Sequence, residues 1–320
     1  MTVSKLENLT VAGAGVLGGQ IAWHSAYKGK NVIVFNRSET GLASCRVAHE
    51  TYAHIYKQDL GATDLEIEQT RARLTFTTNL EEAVSNADIV IEAIPEILDV
   101  KVKFYQSMQE FLPEHTILAT NSSTLLPSDF AEFTGRPEKF AALHFANLIW
   151  SMNLAEVMAH QGTSNETLDD LTGFAIEIGM VPIPVGKEYN GYVINAMLVP
   201  IINAAQSLIT KGVSTPEYID KTYMIFNRGT SLGPCGIMDV VGFKTIYNVL
   251  SYWGDIKKDQ DMLDNAQYIK EHFVDKGIQG IQGGKGYYEY PNPSFQAADF
   301  LDIPDISKAK EIAKMARLNA

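Results

Sequence analysis

The stretch VAGAGVLGGQ places glycines at positions 13, 15 and 18 directly after an apolar run. Glycines at this spacing let a chain turn tightly, let its backbone approach a pyrophosphate and let the next helix pack closely on its strand. The N-terminus of that helix, at Val16 and Leu17, then faces the phosphates. Gly13, Gly15, Val16, Leu17 and Gly18 are therefore the expected phosphate-binding residues of a dinucleotide site. Where a ribose-binding Asp or Glu would be expected, the chain reads Asn36, Arg37, Ser38. A carboxylate there bonds a free ribose 2′-hydroxyl and repels a 2′-phosphate, whereas Asn followed by Arg removes the repulsion and supplies a cation. NADP is thus favoured over NAD. The other reading has Arg37 lying over the adenine of NAD while Asn36 bonds the ribose.

Hydride transfer from a carbinol needs a base for the hydroxyl proton, and the reverse needs an acid for the ketone oxygen. His144, closing the run KFAALHF, is the candidate. Glu156 lies downstream in NLAEVM, where a returning segment can meet it. A carboxylate on one imidazole nitrogen fixes the tautomer, stabilises the imidazolium and leaves the other nitrogen for substrate. An unpaired carboxylate in so apolar a setting is costly, which argues for such a partner.

These residues need a scaffold, and the pattern supplies one. NLTVAG reads as a buried strand, Val16, Leu17, Ile21, Ala22 and Ala26 recur at helical spacing, and NVIVF is a second strand, which together make a βαβ unit. Strand-like RLTFTTN, DIVIEAIP, TILATN, KFAALHF and MVPIPVG alternate with helical LEEAVSNA, the stretch from Leu98 to Phe111 and a helix capped by TSNETLDDL. The expectation is an α/β Rossmann-type domain, a doubly wound parallel sheet, over residues 1–188. After Gly186 strand signals nearly vanish, and residues 189–320 are expected to form an all-α substrate and dimerisation domain. Apolar helix faces around 192–209 suggest a homodimer through it. The sequence assigns no role to 291–320.

Composition bounds the partners. With 320 residues and 46% hydrophobic content there is room for two domains and a substantial core. A net charge of -12 argues against nucleic acid or an anionic membrane surface. Cys45 and Cys235 form no metal or disulfide pattern, so no metal is expected. The N-terminus lacks a basic segment followed by a long apolar one, and YVINAMLVPIINAAQSLI is interrupted by Asn195 and Pro200, so a cytoplasmic, non-membrane protein with a small-molecule substrate is expected.

From about Asn8 to Tyr290 the chain resembles the 3-hydroxyacyl-CoA dehydrogenase family, and more closely its short-chain branch that includes a diketoreductase. The resemblance rests on the glycine loop, ADIVIEAIPEILDVKVKFY, TILATNSSTLLPSD, FAALHFANLIWSMNLAEVM, GYVINAMLVPIINAA, LGPCGIMDVVG and GGKGYYEY. It implies that His144 and Glu156 are the catalytic pair and that Ser123 and Asn195 polarise or orient the substrate. It also implies that Glu96, Lys101 and Asn147 line the nicotinamide and its ribose, with Asn121 supporting the loop. The reaction implied interconverts a 3-hydroxy and a 3-keto group β to a carbonyl.

Two departures bear on the substrate. LIWSM stands where a proline-rich segment is usual, which would put Trp150 and Met152 near the substrate entrance. Between Glu39 and Thr70, six acids (Glu39, Glu50, Asp59, Asp64, Glu66, Glu68) face only Arg46 and Lys57. That segment suits a polyanionic CoA tail poorly. A small keto or diketo ester and a short 3-hydroxyacyl-CoA both remain open. Tyr-x-x-x-Lys, which the short-chain reductases require, is absent.

Overall fold

The computed structural model describes residues 6–214, 216–227 and 234–317. The chain forms two compact units, one comprising residues up to Ala204 together with those from Ile303 onward, the other Ala205–Asp302. The first contains β1 (Asn8–Ala12), α1 (Val16–Tyr27), β2 (Asn31–Phe35), α2 (Glu39–Asp59), α3 (Asp64–Ala72), β3 (Leu74–Thr77), α4 (Leu80–Val84) and β4 (Ile89–Glu92). It continues with α5 (Leu98–Met108), β5 (Ile117–Thr120), β6 (Phe140–Phe145), β7 (Leu154–Met158), α6 (Asn165–Glu177) and β8 (Val181–Val185).

The eight strands form one sheet in the order β3-β2-β1-β4-β5-β6-β7-β8. The strands through β6 pair in parallel, β7 runs antiparallel to β6, and β8 is parallel to β7. Every residue of β4, β5 and β6 is buried, because helices cover both faces. Neighbours in a strand feed opposite cores: Val11, Ile91 and Ala119 join one, Ala12, Val90 and Leu118 the other. Pro182 and Pro184 are tolerated in β8 because it is an edge strand.

The sequence reading missed β7, passing from KFAALHF directly to a helix. LAEVM is short and carries a charge in its middle, so periodicity alone gives it little strand signal. A second difference concerns the C-terminus. The segment from Ile303, expected in the helical domain, belongs to the first unit, where a helix at Ala309–Met315 packs on α6 and β8. The segment passes close over Gly173 of α6, where a β-carbon would lie at ordinary contact distance, 3.7 Å from Ile306 and 3.9 Å from Ala309. Arg317 then pairs with Asp169 at 3.2 Å.

A helix α7 (Ile194–Thr210) begins in the first unit and continues into the second, which adds α8 (Pro216–Phe226), α9 (Pro234–Val241), α10 (Phe243–Lys257) and α11 (Gln260–Ile269). Phe243 stacks on Phe273 at 3.8 Å in its core. The fully buried Asp239 accepts hydrogen bonds from the amides of Tyr287 and Tyr288 and from the Tyr290 hydroxyl, at 2.9, 3.0 and 3.0 Å. That carboxylate ties together LGPCGIMDVVG, whose first two residues lie outside the described ones, and GGKGYYEY. Among the described residues no helix is long and apolar enough to cross a membrane.

Candidate active site

The glycine loop joins β1 to α1 at the point where the strand order reverses, beside the residues that follow β4. Its three glycines answer to different constraints. At Gly13, with φ of 120°, a β-carbon would fall 2.3 Å from the Ala93 carbonyl oxygen, and at Gly18 one would fall 2.0 Å from that of Gly13. At Gly15 a β-carbon would meet no protein atom within 4 Å. The space over Gly15 is instead open to a ligand. Gly15 caps α1 without a side-chain hydrogen bond, and Val16 is 70% exposed while Leu17 is half-buried. Free amides at an open helix N-terminus suit a pyrophosphate, so the residues present fit a dinucleotide.

A cavity of about 800 Å³ extends from this loop and is lined by Gly13, Gly15, Asn36, Arg37, Lys103 and Phe104, among others. The Asn36 amide folds back onto the carbonyl and hydroxyl of Ser38, at 3.2 and 3.3 Å. Ser38 itself caps α2, accepting from the Gly41 amide at 3.2 Å. Its hydroxyl is thus engaged in the fold. Arg37 and Lys103 are both exposed, and neither makes an ion pair among the described residues.

Lys101 does not line the cofactor cavity. It is 1% exposed, its ammonium lying 2.6 Å from Glu92 and 3.2 Å from Glu96. Two residues along a helix turn a side chain to nearly the opposite side, so Lys101 faces inward and Lys103 faces the cavity. Sequence reasoning singled out the former and missed the latter. It also missed Glu92, a fully buried carboxylate that accepts from Lys101, the Ile94 amide, Thr120 and Tyr105. A charged residue ending the apolar run DIVIE was the available signal.

Glu96, expected beside the nicotinamide, grips the loop after β5. One oxygen accepts from the Ser122 hydroxyl and from the amides of Ser123, Thr124 and Leu125, at 3.0, 2.8 and 3.2 Å for the amides. Burial alone would raise its carboxyl, but these hydrogen bonds and the Lys101 charge outweigh burial and hold it at about 2. Glu96 therefore shapes the loop that carries Ser123.

β6 and β7 place His144 directly opposite Glu156. The His144 Nδ1 lies 2.8 Å from Glu156 Oε2, and its Nε2 lies 3.1 Å from the Ser123 hydroxyl. Glu156 is fully buried, and its other oxygen accepts from the amides of Val193 and Ile194 at 2.8 and 2.9 Å, where α7 begins. Asn195 follows in the first turn of α7 and is half-buried. Asn121 accepts from the Phe145 amide at 2.9 Å and so ties the end of β5 to the strand end beside His144. Asn147 is exposed in the turn after β6. The structure brings Ser123, His144 and Glu156 into one line, with Asn121 and Glu96 supporting it.

Such a line can hold and move a proton at His144 Nε2. It also has the outline of an acyl-transfer triad, but that chemistry requires amide donors for an oxyanion. The nearby amides of Ser123, Thr124 and Leu125 are taken by Glu96.

Trp150 is a correction. Its ring packs on Tyr52 and Tyr56, with centroids 5.9 and 6.0 Å apart, over α2 and not at a substrate entrance. Gln20 fixes the turn by accepting from the Leu148 amide at 2.8 Å, and the indole buries more apolar surface in this aromatic cluster than at a solvated mouth. Met152 is 54% exposed.

Both halves of the chain match known proteins. The description "3-hydroxyacyl-CoA dehydrogenase, NAD binding domain" matches residues 8–189, and "3-hydroxyacyl-CoA dehydrogenase, C-terminal domain" matches residues 191–290. The mitochondrial hydroxyacyl-coenzyme A dehydrogenase of Rattus norvegicus is 31% identical over 290 residues, covering 89% of this chain and 91% of that protein. A probable 3-hydroxybutyryl-CoA dehydrogenase of Bacillus subtilis is 31% identical over 294 residues, covering 89% and 98%. Among solved structures, a diketoreductase described by its substrate-directed dual catalysis of dicarbonyl compounds is 42% identical with a TM-score of 0.65, covering 89% of this chain and 99% of that one. Matched in both domains, the chain belongs to the 3-hydroxyacyl-CoA dehydrogenase family and is a nicotinamide-dependent oxidoreductase that interconverts hydroxy and keto groups.

Proposed function

We propose that the chain works with NADPH on a small 3-keto substrate that carries a second carbonyl and no CoA, such as a keto or diketo ester. The observation that carries this reading is the charge balance of the α2–α3 hairpin. Its three cations are all committed, Arg46 to Glu39 at 2.9 Å, Lys57 to Asp64, and Arg71 to Glu50 at 2.6 Å and Glu68 at 3.7 Å. A CoA tail arriving there would meet a net negative surface, six carboxylates against three cations, with no cation left unpaired. The likeness to a diketoreductase of dicarbonyl compounds supports the same substrate class.

The nicotinamide, when bound, supplies or accepts the hydride. His144 in its protonated form donates from Nε2 to the oxygen on the carbon being reduced, and in the reverse direction takes that proton back. Ser123 hydrogen-bonds the same oxygen. Glu156 fixes the tautomer and stabilises the imidazolium, itself held by the two amides that open α7. Asn195 orients the bound molecule. Arg37 and Lys103, exposed in the cofactor cavity without carboxylate partners among the described residues, support a ribose 2′-phosphate over a free hydroxyl. Exposed Met197, Leu198 and Ile201 on α7 and Tyr223 and Phe226 on α8 support a homodimer.

A panel of acetoacetyl-CoA, acetoacetate esters and diketo esters, each with NADPH and NADH, tests the reading. The expected result is a kcat/KM for a small ester at least comparable to that for the thioester. A thioester favoured by more than about a hundredfold, equivalent to roughly 2.7 kcal/mol, would restore a strict 3-hydroxybutyryl-CoA dehydrogenase.

A further inference from the structure

Between β8 and α7 the chain passes through two consecutive residues in the left-handed region, Gly191 at φ 85° and Tyr192 at φ 55°. Glycine adopts that conformation freely, but an aromatic residue does so only when its surroundings hold it there. The Tyr192 ring is 1% exposed and packs with Ala142, Met158 and Val185. It lies against the His144 imidazole, with centroids 4.6 Å apart and planes 21° from parallel. Its hydroxyl is buried and finds no hydrogen-bond partner among the described residues. Hydrogen bonding therefore does not explain the strained residue, whereas its ring face and its backbone both do something specific.

The next two amides, of Val193 and Ile194, are those that hold Glu156. We propose that Tyr192 is a positioning residue for the acid/base pair: its ring walls one face of His144, and its left-handed backbone aims the start of α7 at Glu156. The imidazole is then constrained in three ways, at Nδ1 by the carboxylate, at Nε2 by Ser123 and on one face by the phenol ring. A ring free to tip about the Nδ1 bond would carry Nε2 away from the reacting oxygen, and small misplacements of a reacting group cost large factors in rate. The inference rests on His144 being the acid/base group.

The test compares Tyr192→Phe, Tyr192→Leu and Tyr192→Gly in the full-length enzyme, reading kcat, the KM for the dinucleotide and the thermal midpoint. Phe keeps the ring and drops the unpartnered hydroxyl, so kcat is expected within about twofold of the parent with no loss of thermal stability. Leu fills the space without a flat face, and Gly accepts the backbone conformation without any side chain. Both are expected to lose roughly tenfold to a hundredfold in kcat, with the dinucleotide KM changed less than about threefold. A Phe variant as impaired as Leu would overturn the proposal by showing that the hydroxyl acts, and a Leu variant with parental kcat would overturn it by showing that the flat face is dispensable. Should either Leu or Gly fail to fold, the other still decides, because each removes the flat face that Phe keeps. His144→Ala, measured alongside, separates this inference from the reading beneath it: parental activity there would overturn the acid/base assignment itself.

Discussion

His144 and Glu156 are register partners across the antiparallel pairing of β6 and β7, and the Nδ1 to Oε2 distance is 2.8 Å. Directly opposed residues in antiparallel strands point to the same face, so the pairing of two backbones delivers the pair of side chains. A one-residue slip of β7 would send Glu156 to the other face of the sheet. The amides at the start of α7 then complete the anchoring of the carboxylate.

His144→Ala is accordingly expected to lower kcat by about 100- to 10,000-fold, the usual contribution of a positioned acid or base, with dinucleotide affinity nearly unchanged. Glu156→Gln loses imidazolium stabilisation and lowers kcat by a related route. Because the two act as a unit, the double variant should be far less impaired than the product of the single effects. Steady-state kinetics together with a direct titration of the dinucleotide check this, and a multiplicative double variant would count against a coupled pair.

The glycine loop separates folding from binding. Gly15→Ala places its methyl in open space at a φ of -73°, so the thermal midpoint should stay close to the parent while dinucleotide affinity falls. Gly13→Ala and Gly18→Ala each drive a methyl into a carbonyl oxygen, at 2.3 and 2.0 Å, and should destabilise the protein itself. Circular dichroism melts and fluorescence titration with the dinucleotide distinguish the two cases. Equal destabilisation at all three positions would contradict the different roles assigned to them.

The βαβ unit, the glycine loop and His144 were legible because they are local: an apolar strand run, a helical run and a turn are each written in consecutive residues. β7 was not, since LAEVM becomes a strand only through pairing with β6 and β8. Lys101 and Lys103 show the same limit, as only the packed orientation of α5 decides which one meets Glu92 and which one the cavity. Trp150 was misjudged because sequence neighbourhood to His144 was taken for spatial neighbourhood, and the turn at Leu148, with φ of 61°, carries it to α2. The role of the residues from Ile303 was hidden for a comparable reason: a short amphipathic helix does not announce which partner covers it.

Stability should fall on the acid side of neutrality through His24 and His49. Both are buried; burial, outweighing the hydrogen bonds that the rings donate to the Ile178 and Gly19 carbonyls, holds each imidazole down at about 4 from an ordinary value of 6.5. The unfolded chain therefore binds protons between pH 6.5 and 4 that the folded chain refuses. The stabilisation is complete above about 6.5 and is lost as pH falls towards 4, at up to about 1.4 kcal/mol per pH unit for each histidine. Urea midpoints measured from pH 7.5 to 4 should trace this slope, and His49→Asn should flatten it. A midpoint independent of pH across that window would show that neither histidine is held neutral.

Cofactor choice is the prediction that turns on one corner of the cavity. With Asn36 where a carboxylate would select a free ribose, Arg37 and Lys103 are the exposed cations of the lining, one from the loop after β2 and the other from α5. Arg37→Ala should weaken NADPH more than NADH, by the roughly 1.5 to 3 kcal/mol of a charge-assisted contact, or about ten- to a hundredfold. Lys103→Ala should act in the same direction but less strongly, because an ammonium makes a point contact where a guanidinium can bond a phosphate through two donors. Asn36→Asp should reverse the preference by restoring repulsion of the phosphate and an acceptor for the 2′-hydroxyl. Kd values for NADPH and NADH, measured across a salt series, provide the check, since a phosphate contact weakens with salt more than ring stacking does. If Arg37→Ala weakened both cofactors equally, Arg37 would lie over the adenine, and a parental preference for NADH would show that Asn36 serves the free ribose.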